Sequence, residues 1–415
     1  MQPRPTRLTL ALALALLGWA GWACRATPHE PPPPAGRWWK GNTHTHTLWS
    51  DGDGAPELVV DRYRERGYEF LVLSDHNLLS RGERWFPIDG ADKRLPRARV
   101  DELRARFGDA GVEEREIDGK PRMRLKTLEE LRTRFESPEK FLLIEGEEVT
   151  DSFKGKQVHI NALNVADVIA PQKGDSLRAV LERNLAAIVE HGRANGRDVL
   201  AHVNHPNFVW SLSWQDLASL AHENFFEVYN GHPEVHNDGD ATRPGTEEMW
   251  DLANTLRLRE LGLPPLFALA TDDSHNYFGD SPQRSNSFRG WIHVRAERLD
   301  TGSLLASLRA GDFYASTGVE LTDVRRTRER YVVDITTEPG VTYTTRFTGV
   351  LADGGERAIV LAETTADPAV YEPNGSELFV RATVISSRPQ PNPAPGEASE
   401  RAWCQPWVPS AAREN

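Results

Sequence analysis

The chain has 415 residues, 39% of them hydrophobic and 27% charged, with 12 Trp and 15 Phe. That is ample material for a core, and it is unlike a disordered or fibrous chain. The net charge of −12 argues against a broad basic face that would hold nucleic acid by its phosphates, and two cysteines exclude a disulfide scaffold or a Cys-rich zinc module. The thirteen histidines carry more information, because their positions are not scattered.

Arg4 and Arg7 precede an apolar run that ends in small residues and Trp up to Cys24. This pattern predicts a secretory signal peptide over residues 1–23. As a retained membrane span the run is short of roughly 20 residues, and Gly18 and Gly21 interrupt it. Residues 21–24, Gly-Trp-Ala-Cys, are similar to a bacterial lipobox, which would make Cys24 a lipidated first residue and anchor the chain to a membrane. The expectation is export, to a periplasmic or extracellular place, with removal of two positive charges. A Pro-rich tether follows at 24–37.

Beyond it the chain alternates strand-like and helix-like signals. A strand at 41–48 ends in the turn Ser50-Asp51-Gly52, a helix is expected at 56–66 between Pro56 and Gly67, and 70–73 is a short buried strand. Residues 79–140 are dense in Arg and Glu and read as a long solvated insertion with a helix near 128–135. Strands follow at 141–144, 199–203, 225–229 and 266–270. Leu177, Val180, Leu181, Leu185 and Ile188 keep helical spacing, Ser213 and Asp216 make a capping box, and 247–261 reads as a helix. Repeated β-then-α units favour an α/β barrel over an open sheet. After Gly318 short β-rich runs predict a small antiparallel sheet or sandwich at 319–388. A Pro-rich linker and tail at 389–415 then carries residues 402–407 as an aromatic clasp.

The chemistry lies at strand ends. His44 and His46 are two apart, so on a strand they share a face, and Asp51 follows in a turn able to return a carboxylate to them. The next strand ends in Ser74-Asp75-His76-Asn77, where His76 suits a ligand and Asp75 an orienting group. Glu145, Glu147 and Glu148 are three candidate carboxylates, and His159 comes shortly after Lys154 and Lys156. His202 and His205 follow, then Glu227, and finally Asp273 and His275, again two apart. Any one of these groups is ordinary. Together, strand after strand, they would repel one another without a cation and so predict a polynuclear metal site.

The ordered motifs HTH at 44–46, SDG at 50–52, SDHN at 74–77, GEEV at 146–149, HP at 205–206 and DSH at 273–275 resemble the polymerase and histidinol phosphatase (PHP) superfamily of metal-dependent phosphoesterases. The resemblance implies a distorted (β/α)7 barrel over residues 38–318 and a site for up to three metals. Its ligand pattern falls on His44, His46, Asp51, His76, Glu148, His159, His205, Asp273 and His275. The family's Gly-x-Glu register selects Glu148, and its following proline selects His205 over His202. The secreted start, the β-rich C-terminal region and the ending at 402–407 look more like the carbaryl-hydrolase-like branch than like cytoplasmic phosphatases.

Histidine and carboxylate ligands without thiolates suit two or three divalent ions of Zn, Mn or Fe. Such ions would hold and acidify a bridging water and stabilise the oxyanion formed by its attack. Asp75 and His202 are expected to orient ligands or transfer protons, and Lys154 and Lys156 are candidates to meet a phosphate. No serine elbow or phosphate-cradling Gly-rich loop is present, which disfavours covalent acyl chemistry and nucleotide triphosphates. The expected function is an exported metal-dependent hydrolase of a small-molecule phosphomonoester or phosphodiester. A carbamate or ester is the alternative bond, and an inactive metal- or ligand-binding lipoprotein is the alternative of another class.

Overall fold

The computed structural model describes residues 35–327, 329–396 and 399–408. The expected signal segment 1–23, Cys24, the tether as far as residue 34 and the end of the tail lie outside them. Among the described residues no helix is long and apolar enough to cross a membrane.

The described residues open with β1 (Arg37–Asn42), α1 (Pro56–Glu65) and β2 (Phe70–Leu73), with β1 and β2 parallel; β1 lies earlier than the expected strand at 41–48, so His44 and His46 follow its end and are not on it. Proline occupies the first turn of α1, where its missing N–H costs nothing, and the helix buries Leu58, Val59, Val60 and Tyr63. Next come β3 (Trp85–Pro87), α2 (Arg97–Phe107), β4 (Glu114–Ile117), β5 (Lys120–Arg124) and α3 (Leu128–Phe135). Here the structure departs from the expectation of a solvated insertion. Strands β3, β5 and β4 form a sheet of their own, and Phe86, Val100, Leu103, Met123 and Leu125 make a core with Leu48, Trp49 and Leu58. Arg and Glu pair over its outside, as in Arg97–Glu114 and Arg124–Glu130. Helix α3 starts at a capping box between Thr127 and Glu130.

The main body continues with β6 (Leu142–Phe153), β7 (Lys156–Leu163), α4 (Leu177–Asn195), β8 (Leu200–Val203), α5 (Trp214–Ala218) and β9 (Phe225–Asn230). Then follow α6 (Thr246–Leu256), β10 (Phe267–Thr271), β11 (Trp291–Ala296), α7 (Thr301–Ala310) and β12 (Phe313–Ser316). The last part is all strand: β13 (Leu321–Arg326), β14 (Tyr331–Ile335), β15 (Tyr343–Leu351), β16 (Ile359–Thr364), β17 (Ala369–Tyr371), β18 (Glu377–Pro389) and β19 (Ser399–Trp407).

Thirteen strands share one mixed sheet in the order β10-β9-β8-β7-β6-β2-β1-β11-β12-β19-β18-β15-β16. The α/β class is as expected, but the strands do not close into a (β/α)7 barrel. Parallel runs at β10-β9-β8 and β6-β2-β1 are separated by β7, an antiparallel hairpin return. Past the ends of β1 and β10 the two segments pair through an isolated bridge, Thr45 with Ser274, and not through a continuous ladder. There Asp273 takes a left-handed φ of 49°, which suits placing a side chain and not extending a ladder. Helices α4, α6 and α7 cover apolar strand faces, with Leu185, Ile188, Trp250 and Leu304 in the core.

The β-rich C-terminal part is present, but it extends the main sheet through β12 and β19. Only β13, β14 and β17 form a separate sheet, packed over Tyr331, Phe347, Val380, Val384 and Cys404. Residues 402–407 are therefore a paired strand and not a docked clasp. The amide of Gln405 accepts from the Ala268 N–H and donates to its carbonyl, both at 2.9 Å.

Candidate metal centre

Strand β1 stops at Asn42, whose Oδ1 accepts from the His44 N–H at 2.9 Å and turns the chain inward. Residues 43–49 are all buried, with His44 and His46 at 0% exposure. The two imidazoles face each other, Nε2 to Nε2, at 3.1 Å. Asp75 holds the next turn: its carboxylate accepts from Thr47 N at 2.8 Å, Thr47 Oγ1 at 2.9 Å, Ser50 N at 3.0 Å and Ser50 Oγ at 2.6 Å. A Cβ on Gly52 would stand 2.7 Å from the His46 carbonyl, so the turn closes only with glycine there. It returns Asp51 to within 3.3 Å of both His76 Nε2 and His275 Nε2.

Strand β6 brings its three glutamates to different places. Glu145 pairs with Arg81, and Glu147 accepts from Ile169 N at 2.6 Å, away from the histidines. Glu148 enters the cluster. Its Oε1 lies 3.3 Å from His44 Nε2, 3.1 Å from His159 Nδ1 and 3.5 Å from His205 Nε2, and accepts from Asn204 Nδ2 at 2.7 Å. Asp273 Oδ1 is 3.2 Å from His44 Nε2 and 3.1 Å from His46 Nε2, and its Oδ2 is 3.8 Å from His205 Nε2. Three groups of ligand atoms result, each within 4.8 Å: His46, Asp51, His76 and His275; His44, His46 and Asp273; His76, Glu148 and His159. His205 stands beside the latter two. All nine expected ligand positions thus meet in one place.

The electrostatics are those of a site built around cations. Burial, helped by His275 and His76, pushes His46 down to about 3. His76 goes the other way: against burial, the Glu148 and Asp51 carboxylates push it up to about 11. Burial raises Glu148 and Asp273, but the surrounding imidazoles win and hold both well below the usual carboxylate range. Glu148 Oε2 is buried, 2.6 Å from His76 Nδ1, yet makes no hydrogen bond. Oxygen and nitrogen donor atoms packed this closely, with protons held only by mutual neutralisation, fit divalent ions that would displace those protons.

The other expected site residues are placed differently. Asp75 has both oxygens engaged by the turn at 47–50, which gives it a positioning role. His202 is fully buried behind the cluster, 3.8 Å from Glu227, and burial pushes it down to about 4. Lys154 and Lys156 are exposed at the tip of the β6–β7 hairpin. No ion pair joins either lysine to a cluster carboxylate among the described residues.

Two residues escaped the ligand pattern. Glu227, fully buried in β9, lies 2.7 Å from His44 Nδ1 and accepts from Thr271 Oγ1, Asn230 Nδ2 and His205 N, each at 2.8 Å. It fixes His44 with its proton on Nδ1, so that Nε2 offers a lone pair to the centre. A carboxylate inside the apolar run Phe225–Asn230 was its visible signal. His232, half-buried on the following turn, is the second; like His205 it precedes a proline just past a strand, which was its visible signal.

No protein-family model matches the chain, and no curated protein matches it. Among solved structures it is similar to a two-domain protein of Bacteroides vulgatus that contains a predicted PHP-like metal-dependent phosphoesterase. The identity is 16% and the TM-score 0.40, over 89% of this chain and 96% of that one. A protein of Bifidobacterium adolescentis described as a candidate metal-dependent phosphoesterase shares 14% identity at TM-score 0.30, over 67% of this chain and 97% of its own. An amidohydrolase of Chromobacterium violaceum, with bound sulfate and no metal, shares 15% at TM-score 0.28, over 57% and 88%. All three likenesses are remote, and none of the three is described as a carbaryl hydrolase.

Proposed function

We propose that the chain is a metal-dependent hydrolase that cleaves a small-molecule phosphoester, a monoester or a diester, with two or three divalent ions. One observation carries this reading: eight histidine and carboxylate side chains, brought in from several strands and turns, converge as three overlapping ligand groups, with His205 beside two of them. A neutral imidazole offers a single lone pair, so His46 and His76, each shared by two groups, serve one ion at a time. Bound ions would supply Lewis acidity and an acidified water for attack on phosphorus. The chain's own residues do the rest. Glu227 orients His44, Asp75 holds the turn that carries Asp51, and Asn204 orients Glu148. Lys154 and Lys156, at the hairpin tip, are proposed as outer contacts for a charged substrate. Export, and anchoring through a lipid on Cys24, are proposed from the sequence of residues 1–24.

The test is metal analysis of the purified chain, with turnover of a phosphomonoester, a phosphodiester and an aryl carbamate. The expected result is at least two metals per chain and chelator-sensitive cleavage of a phosphoester. His46→Ala should lose at least one metal and more than about 100-fold in turnover. Turnover of the carbamate alone would move the bond to the carbaryl-hydrolase-like alternative. Bound metal with no turnover, and wild-type behaviour of His46→Ala, would leave only a binding protein.

A further inference from the structure

Resting on the reading of the cluster as a catalytic metal centre, we propose that His232 binds the substrate, donating a hydrogen bond from Nε2 to an anionic oxygen such as that of a phosphoryl group. Its ring is 5.8 Å from that of His275, yet it belongs to none of the three ligand groups. His232 Nδ1 accepts the backbone N–H of Glu234 at 3.2 Å. That bond requires a lone pair on Nδ1, so the proton of the neutral ring sits on Nε2. An N–H cannot ligate a metal, but it suits a negatively charged oxygen.

The backbone under His232 is held by the same network as the ligands. His232 N donates to Asn230 Oδ1 at 2.8 Å, while Asn230 Nδ2 donates to Glu227 at 2.8 Å and to Asp273 at 3.3 Å. Gly231 N donates to Thr271 O at 3.0 Å, and a Cβ on Gly231 would come within 2.8 Å of the Asp272 carbonyl. Only glycine allows this turn to lie so close to the strand that delivers Asp273 and His275. A donor fixed before the substrate arrives needs no reorganisation when charge develops beside it.

Phe208 stands against His232 at 5.3 Å between ring centres, 5.0 Å from His205 and 6.4 Å from His159. Its loop is strained: Val209, 48% exposed, and Trp210 take φ values of 42° and 59°, a region poor for β-branched and bulky side chains. Asn207 Nδ2 holds the loop to the His236 and Pro244 carbonyls, at 2.9 and 3.1 Å. The result is an apolar ring and a fixed donor side by side at the edge of the cluster.

The test is the affinity of the metal-loaded protein for inorganic phosphate, with metal content measured on the same samples. His232→Ala and His232→Phe should weaken phosphate binding by roughly 10–100-fold, the range for a hydrogen bond to a charged group. His232→Gln, which keeps a donor, should recover part of it, and metal content should stay at the wild-type level in all three. His232→Phe keeps a ring against Phe208, and its thermal unfolding controls for folding. Unchanged phosphate affinity, or no phosphate binding by the wild type, overturns the proposal. Metal lost in step with phosphate also overturns it, since His232 would then be a ligand. Phosphate bound through His232 without cleavage of any phosphoester would instead overturn the proposed hydrolase and leave this inference standing.

Discussion

Glu227 acts on His44 much as Asp75 acts on the turn at 47–50: each spends a buried carboxylate on holding another group in place. Glu227→Gln tests the first. The amide keeps the volume but can present N–H to His44 Nδ1, which favours the tautomer with its proton on Nε2 and removes the lone pair from the centre. Metal affinity, measured by chelator competition, should fall by roughly 10–100-fold with the fold retained; unchanged affinity would exclude the tautomer argument. At this scale the sequence was legible where ligands come in short motifs, as at His44 and His46 or Asp273 and His275. The roles of Glu227 and His232 were not legible, because what they touch lies on other strands or on a turn whose path depends on Gly231.

Among the elements, α1 carries a pH effect. Glu57 in its first turn is 2% exposed, with Oε2 lacking a hydrogen bond, and burial pushes it up to about 7 from its ordinary 4.5. Between those values the folded chain keeps a proton that the unfolded chain releases, so stability falls as pH rises through the window. The loss from this group approaches about 3 kcal/mol above pH 7. Glu57→Gln cannot ionise and should escape it. Urea unfolding should therefore show similar stabilities near pH 4 and a variant ahead by about 3 kcal/mol at pH 8; parallel pH curves would refute this. Capping signals placed helices well: the Ser213–Asp216 box starts α5, and Pro56 starts α1. Pairing direction could not be read. The run Lys156–Leu163 has strand composition, but nothing local says that it returns antiparallel beside β6. The segment 79–140 misled because most of its apolar residues are spread among charges, and they become a core only together and against Leu48, Trp49 and Leu58.

For the whole molecule, Arg381 adds a buried ion pair to the joint between the C-terminal strands and α6. It is 2% exposed, donates to both oxygens of Asp251 at 2.6 and 2.7 Å and to Glu247 at 2.7 Å, and so ties β18 to α6. Arg381→Ala would leave the buried carboxylate of Asp251 without its cation. It should cost about 3–5 kcal/mol, read as a lower urea midpoint; a loss below about 1 kcal/mol would show that the joint rests on apolar contact instead. By itself the sequence determined the α/β class, the β-rich end, several helix starts and the set of histidines and carboxylates, because these depend on local periodicity, capping chemistry and residue type. Only the tertiary structure decided the open mixed sheet, the incorporation of β19, the core of the charged segment and the role of Glu227. Those depend on which strands become neighbours and on the few hydrogen bonds that form once they are, and neither is encoded at short range along the chain.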